Sequence, residues 1–335
     1  MLVFRPARQS DLPAIERLAS ESPVGVTSLP VDQDTLASKV QASIDSIAAD
    51  VSYYGEESYF FVLEDKIADT LVGVSGIVAS AGFNEPFYSY RNETLIHAAP
   101  GLGIHSKIHA LSLCHDLTGN TLLTSFYVQP SLRFTRGSDL LSRARLMFIA
   151  QWPERFADGV VSEMLGSTRA DGSSPFWDSV GRIFFGIDYQ DAEYYCGVKG
   201  RKFIAEMMPQ HPLYVPLLSD EAQAVMGEVG PDSAVPFDVL TREGFETENY
   251  IDIFDGGPTL HAATRGIRTI AQSCLAKVME GSVGGAAWLV STTRLDDFRA
   301  TVAEADVTDH GIALAPAVRE ALGLAVGDVV RVSPL

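Results

Sequence analysis

Cysteine is scarce in this chain, and the few cysteines are poorly placed for chemistry. The 335 residues include only Cys114, Cys196 and Cys274, an odd number spread widely along the sequence. They match neither a disulfide framework nor the close spacing of a zinc site. The histidines from His97 to His115 lack an HExxH arrangement, so no metal site is predicted. We expect a protein of a reducing compartment, which makes the cytoplasm the default.

Basic residues and long apolar runs are also in short supply. Lys and Arg number 25 against 43 Asp and Glu, which gives a formal net charge of −18. This balance excludes a broad nucleic-acid-binding surface, while it suits a cationic small substrate or simply favours solubility. No apolar run reaches the ~18 residues of a membrane span, and the N-terminus lacks the pattern of a secretory signal. The expectation is a soluble globular protein with a large core.

The most informative stretch covers residues 121–150. Apolar residues at 121–129 predict a buried strand that Pro130 ends, and the spacing after Ser138 predicts an amphipathic helix with Ser138 as its N-cap. Arg143 and Arg145 fall outside the apolar stripe of that helix. Backbone N–H groups at a helix N-terminus bind phosphate, so the intervening loop predicts a phosphate site. The alternative is an ordinary strand-to-helix connection.

The rest of the chain alternates strands with helices. Strands are predicted at 2–5, 58–63, 70–80, 159–165 and 202–208, and helices at 7–19, 35–49 and 174–185. This order predicts an α/β (α+β) fold, a mixed central sheet with helices on both faces. We expect a main domain at 1–210, an extension of helices and strands at 211–281 that completes the substrate side, and a small β-rich module at 282–335.

Six separated segments resemble the arginine N-succinyltransferase family, most closely the alpha chains of its two-subunit bacterial members. They are TSLP at 27–30, YFFVLED at 59–65, HDLTGN at 115–120, SPFW at 174–177, FIAEMMP at 203–209 and NYIDIFDGGP at 249–258. The resemblance implies a GNAT-type N-acyltransferase fold. It also implies transfer of succinyl from succinyl-CoA, a cosubstrate rather than a bound cofactor, to the α-amino group of L-arginine or L-ornithine.

The resemblance carries expectations for the CoA site as well. The family's succinyl-CoA contact on the central strand falls at Phe126, beside Tyr127 and Val128. The phosphate loop would supply Arg133, Arg136, Gly137 and Ser138, where Arg136 and Ser138 occupy positions that are usually glycine or alanine.

The family's Gly-x-Val-His-Pro histidine is replaced by Gly230 in this chain. Three explanations stay open: the histidine is dispensable, another group does its work, or this chain supports a beta-type partner subunit that carries the chemistry. A homo-oligomer and a GNAT enzyme for another amine are further alternatives.

Carboxylates near the predicted CoA cleft are the candidates for removing the proton of the attacking amine. Glu163 and Glu206 lie on predicted strands, and Asp116 lies at the entrance of the central strand. Each would serve either in proton transfer or in holding the guanidinium group, with helix capping or ion pairing as the structural alternative.

Overall fold

The computed structural model describes residues 1–200, 203, 207–280 and 284–335. Its strands are β1 (Leu2–Pro6), β2 (Ser58–Asp65), β3 (Thr70–Val78), β4 (Ser89–Ala99), β5 (Ile104–Cys114), β6 (Thr121–Val128), β7 (Gly159–Glu163), β8 (Leu213–Tyr214), β9 (Glu246–Ile251), β10 (Pro258–Ala263), β11 (Cys274–Met279), β12 (Ala286–Thr292), β13 (Ala300–Ala305), β14 (Val307–Thr308), β15 (Gly311–Ala313) and β16 (Val329–Pro334). Its helices are α1 (Leu12–Glu21), α2 (Gln33–Ala48), α3 (Arg136–Gln151), α4 (Pro175–Ser179), α5 (Gly181–Phe185), α6 (Tyr189–Lys199), α7 (Asp220–Val225), α8 (Ala234–Arg242), α9 (Arg268–Gln272) and α10 (Pro316–Leu322).

All these strands join one hydrogen-bonded sheet in the order β14-β15-β11-β16-β12-β13-β1-β2-β3-β6-β7-β10-β9-β4-β5-β8. In its central part, from β1 to β9, neighbouring strands are antiparallel except β6 and β7, which run parallel. This parallel pair is registered only at Thr121 with Val160 and at Leu122 with Val161. Past these residues the two strands diverge, which opens a wedge in the middle of the sheet.

Helices cover both faces of the central sheet. Phe60 and Val62 of β2 pack in one cluster with Leu18 of α1 and Val40 of α2. The alternate β2 residues, of which Phe61 is one, pack in another cluster on α3. Side chains alternate between faces along a strand, so one apolar strand serves both layers. The predicted fold class is confirmed.

Helix α3 begins earlier than the sequence suggests, and the predicted N-cap at Ser138 is wrong. The helix starts at Arg136 with Thr135 as its N-cap, and the Thr135 hydroxyl accepts a hydrogen bond of 3.1 Å from the Gly137 N–H. Ser138 occupies the third helical position, where its Oγ accepts from the Thr135 N–H at 3.1 Å. This reciprocal capping box outcompetes a later start because it satisfies more of the orphan N–H groups.

The long hairpin of β4 and β5 extends the sheet beyond β9, where Tyr90 pairs with Ile251. The end of this hairpin that includes its loop bears exposed apolar side chains, among them Ile96 of β4, Leu102 of the loop and Ile104 of β5. The predicted strand at 202–208 lies mostly outside the described residues. Of the three residues described there, Phe203 and Met207 are helical and Met208 lies in a bend.

The C-terminal strands β11 to β16 form a β-rich unit with α10 and a core of their own, in agreement with the predicted β-rich appendage. Its core includes Val278, Val290, Ile312 and Val330. The unit joins the main sheet where Ala300 of β13 pairs with Phe4 of β1. Among the described residues, none of the helices has the length and apolarity required to cross a membrane.

Candidate active site

A cavity of about 500 Å³ opens in the wedge between β6 and β7. A volume of this size is typical of small-molecule sites. The cavity is lined by both strands, by the segment between α1 and α2, by α3, α6 and the start of α8, and by the turn between β9 and β10. Segments distant in sequence therefore meet at one break in the sheet.

A β-bulge shapes the β6 side of this cavity. The register between β3 and β6 shifts between Val74 and Gly76, and Ser125 adopts a left-handed φ of 54°. The Ser125 N–H donates to Ser28 Oγ at 3.0 Å, and Lys39 Nζ donates to both Ser125 Oγ and the Ser28 carbonyl at 2.7 Å. Burial lowers the pKa of Lys39 to about 8. Lys39 thus ties the segment between α1 and α2 to the irregular strand.

The predicted CoA residues divide into two groups. Phe126, Tyr127, Val128 and Arg133 line the cavity, and Arg133 donates to the Pro231 carbonyl at 2.8 Å. The other three do not line it: the exposed side chain of Arg136 faces Glu304 at 3.3 Å, and Gly137 and Ser138 form the buried first turn of α3.

The acidic residue in the first turn of α3 is compensated. Asp139 forms an ion pair of 2.7 Å with Arg242 of α8. Its negative charge is therefore partly neutralised beside the helix N-terminus, where an isolated carboxylate would oppose phosphate binding.

Two arginines of α3 are buried, although the sequence pattern places both outside the apolar stripe. Arg143 is 1% exposed and pairs with Glu243, itself 2% exposed, at 2.8 Å. It also donates to Thr269 Oγ1 and to the Pro334 carbonyl, which fastens α3 to the C-terminal strand. The role of this buried ion pair with its additional hydrogen bonds is structural, because it holds α3 against the neighbouring elements.

Arg145 is equally buried, at 1% exposed, but differs in its surroundings. It donates to the carbonyl and the hydroxyl of Ser142, its guanidinium lies 5.6 Å from the centre of the Phe126 ring, and it lines the cavity. Within the described part of the chain no carboxylate forms an ion pair with it, and burial lowers its pKa to about 9.

A group of carboxylates that we call the acidic wall lines the same cavity. It consists of Glu163, Glu193, Asp252 and Asp255. Burial raises the pKa of Asp255 to about 8, and the neighbouring charges of Asp252 and Glu163 act in the same direction. Asp255 Oδ1 and Oδ2 accept from the N–H groups of Gly257 and Gly166, each at 2.8 Å. Crowded carboxylates of this kind favour a cation.

The three predicted catalytic carboxylates have different fates. Glu163, at the end of β7, belongs to the acidic wall. Asp116 lies away from the cavity, where it pairs with Arg91 and accepts a hydrogen bond from the Tyr250 hydroxyl. Glu206 lies outside the described residues.

Sequence reasoning missed Glu193, Asp252 and Asp255. The sequence did contain a signal, because the two aspartates enclose Ile253 and Phe254, and acids in such an apolar segment become buried when the segment packs. The Asp-Gly-Gly-Pro sequence at 255–258 is also typical of a tight turn, which accounts for its glycines but not for its buried carboxylate.

Gly230 stands where the family histidine was expected, and its surroundings leave no room for a side chain. Its N–H donates to the Leu165 carbonyl at 2.8 Å. A Cβ atom added to Gly230 would lie 2.2 Å from the backbone oxygen of Gly166. Any proton transfer in this cavity therefore depends on other groups.

Known proteins are similar to this chain in sequence along nearly its whole length. The sequence matches the family described as arginine N-succinyltransferase beta subunit over residues 2–269 and that subunit's C-terminal domain over residues 275–334. It is 58% identical to arginine N-succinyltransferase subunit alpha of Pseudomonas aeruginosa, with 99% of each chain covered. It is 39% identical to arginine N-succinyltransferase of Yersinia enterocolitica, with 100% of this chain and 98% of the relative covered.

A solved structure agrees closely as well. The structure of arginine/ornithine succinyltransferase subunit AI from Pseudomonas aeruginosa is similar with a TM-score of 0.92 at 56% identity, over 100% of this chain and 98% of that one. The resemblance noted in the sequence is confirmed. This chain belongs to the arginine N-succinyltransferase family.

Proposed function

We propose that this chain transfers the succinyl group of succinyl-CoA to the α-amino group of L-arginine, or of L-ornithine, in arginine breakdown. The observation that carries the proposal is the cavity between β6 and β7, which is lined by the acidic wall and also by the cations Lys39, Arg133 and Arg145. The amino acid carries a cationic side chain in addition to its α-amino group, whereas succinyl-CoA is an anion. A cavity with carboxylates and cations in its lining suits that pair.

The amino acid would bind at the acidic wall. Its guanidinium group, or the side-chain ammonium of ornithine, is a multiple hydrogen-bond donor, and buried carboxylates pair with such groups strongly. Glu163 is the proposed partner of this group, and its charge acts on that of Asp255 within the wall.

The reaction requires the α-ammonium group to lose a proton before its nitrogen attacks the thioester carbonyl carbon. The new C–N bond forms, the C–S bond breaks, and the CoA thiolate leaves and takes up a proton. A general base works best when its pKa lies near the working pH. Burial raises the pKa of Asp255 to about 8, so we assign the proton to Asp255; the alternative is that Asp255 and Glu163 exchange these two roles.

Succinyl-CoA is proposed to lie along Phe126, Tyr127 and Val128, with its pyrophosphate at the start of α3. Arg133 is already at the cavity, and Arg136 would leave its exposed partner Glu304 to reach a phosphate. The Thr135 hydroxyl holds the Gly137 N–H in this structure. Rotation of that hydroxyl would release the N–H group for a phosphate oxygen.

Assembly is proposed with a beta-type succinyltransferase subunit or with further copies of this chain, in the cytoplasm. The subunit names of the relatives support the first, and the exposed apolar residues Ile96, Leu102 and Ile104 at the β4–β5 hairpin offer a surface for either. Cys114 and Cys274 are free thiols, in keeping with a reducing compartment.

The test is release of the CoA thiol from succinyl-CoA, followed with a thiol-reactive dye. The chain is assayed alone and co-purified with a beta-type chain, with arginine, ornithine and other amines as acceptors. We expect release with arginine or ornithine. Absence of release in both preparations would reject the proposal, and preference for an unrelated amine would reassign the acceptor.

A second candidate function, a catalytically silent supporting subunit, is favoured by Gly230. It predicts that Arg133→Ala combined with Arg136→Ala in this chain leaves the turnover of the assembled enzyme unchanged. A large loss of turnover would exclude it.

A further inference from the structure

Arg145 is a buried cation whose charge the described part of the protein leaves uncompensated. Arg143, two residues earlier on α3, has Glu243 at 2.8 Å, whereas among the described residues Arg145 donates only to Ser142 on its own helix. Keeping a charged group out of water without an opposite charge is costly. An anion supplied by a bound substrate would complete the pair and offset this cost.

The position of Arg145 indicates which anion that is. Its guanidinium lies over the ring of Phe126 and lines the cavity between β6 and β7. Under the proposed function, Phe126 contacts succinyl-CoA, and the amino acid lies at the acidic wall formed by other segments. The anion nearest to the reacting thioester is the free carboxylate at the far end of the succinyl group.

We propose that Arg145 binds the terminal carboxylate of the succinyl group and so selects a dicarboxylic acyl donor. The inference rests on the proposed function and deepens it. A guanidinium matches a carboxylate in shape and charge, and the ring of Phe126 would hold its plane in place. Acyl-CoA donors that end in a methyl group would leave the cation buried and unpaired.

Lys39 is the competing cation, and its geometry argues for a different role. Two of its N–H groups are engaged, with the Ser28 carbonyl and with Ser125 Oγ at 2.7 Å. It therefore positions the segment between α1 and α2 against the β6 bulge. Losing it should affect all acyl donors alike.

The test compares succinyl-CoA with butyryl-CoA, which has the same four-carbon acyl chain without the terminal carboxylate. In Arg145→Met we expect kcat/KM for succinyl-CoA to fall roughly 10- to 100-fold, the loss typical of a hydrogen bond to a charged group. The value for butyryl-CoA should stay within about threefold, as follows from the absence of a partner for Arg145 in that complex. Arg145→Lys should recover part of the preference for succinyl-CoA over butyryl-CoA. Lys39→Met should lower kcat/KM for both donors by the same factor.

Varying the acceptor tests whether Arg145 binds the amino acid rather than the acyl group. If Arg145 instead binds the α-carboxylate of the amino acid, Arg145→Met will raise the KM for arginine with both donors and leave agmatine, which lacks that carboxylate, unaffected. That result overturns the inference. The inference is also overturned if Arg145→Met keeps the wild-type ratio of kcat/KM for succinyl-CoA to that for butyryl-CoA. It is overturned as well if the preference for succinyl-CoA disappears in Lys39→Met alone.

A binding measurement makes the inference independent of turnover. We expect succinyl-CoA to raise the Tm of the wild type more than butyryl-CoA does, and the two to act equally on Arg145→Met; equal shifts on the wild type contradict the inference. Without ligand, Arg145→Met should melt no lower than the wild type, whereas the matched control Arg143→Met should melt lower because Glu243 loses its partner. Absence of turnover in the wild type would reject the proposed function, while the thermal shifts still decide the role of Arg145.

Discussion

Asp255→Asn removes a deeply buried carboxylate from the acidic wall, and its effect on stability should depend on pH. Burial raises the pKa of Asp255 from the ordinary 3.8 to about 8, with the charge of Asp252 as the second cause. The folded-state pKa lies above the unfolded one. The stabilising contribution of the protonated group is therefore complete below the ordinary pKa and is lost as pH rises through about 8.

The structure also bounds the size of this effect. Each pKa unit corresponds to ~1.4 kcal/mol, so the whole displacement would be worth ~5 to 6 kcal/mol. Because the group is coupled to Asp252 and only the part of the displacement above pH 5 is sampled, we expect the wild type to lose ~2 to 4 kcal/mol of unfolding free energy between about pH 5 and pH 9. Asp255→Asn should lack this loss.

The variant should also carry a constant offset. The carboxylate accepts from both Gly166 and Gly257, whereas an amide oxygen replaces only one of the two acceptors. The remaining N–H group loses its partner, which costs ~1 to 3 kcal/mol at every pH. The slope against pH, rather than the offset, is therefore the diagnostic quantity.

The assay is urea unfolding of the wild type and Asp255→Asn across this pH range, with Asp116→Asn as a matched control. Asp116 lies outside the cavity and is ion-paired with Arg91, so its variant should keep the wild-type slope. Equal slopes for the wild type and Asp255→Asn would refute the reasoning that burial in the acidic wall raises the pKa of Asp255.

The remaining predictions concern other parts of the site. Arg143→Met should lower the unfolding free energy by ~3 to 5 kcal/mol because Glu243 is left charged and buried, and adding Glu243→Gln should restore much of it; an additive double variant in chemical denaturation would contradict this coupling. Gly230→Ala should cost ~1 to 3 kcal/mol in the same assay, since the new Cβ meets the Gly166 carbonyl; wild-type stability would mean that the backbone yields freely. Arg133→Ala should raise the KM for succinyl-CoA severalfold and leave the KM for arginine unchanged, and the reverse pattern in steady-state kinetics would remove Arg133 from the CoA site.

The elements with clear apolar periodicity were predictable from the sequence. The strand predicted at 121–129 is β6 (Thr121–Val128), and the helix predicted at 35–49 is α2 (Gln33–Ala48). The hairpin of β4 and β5 was not, because much of both strands is exposed and their side chains show no alternation of apolar and polar residues. These strands are held by pairing with β9 and β8, which are distant in sequence. A local sequence pattern therefore does not predict them.

The site was predictable only where one segment supplies it. Phe126 and Arg133 belong to a contiguous strand and loop, and both line the cavity. The acidic wall is assembled from β7, α6 and the turn after β9, so its carboxylates converge only in three dimensions. Arg145 could not be distinguished from Arg143 by sequence, because the difference between them is the presence of Glu243 about a hundred residues away.

The central claim is that this chain itself holds both substrates in the wedge between β6 and β7. A crystal structure of the chain, alone or with a beta-type partner, with CoA and arginine bound tests it most directly. We predict the CoA thiol beside Phe126 and the guanidinium of arginine within hydrogen-bonding distance of Asp255 or Glu163. Arginine bound elsewhere on this chain, or only on the partner, would contradict the account.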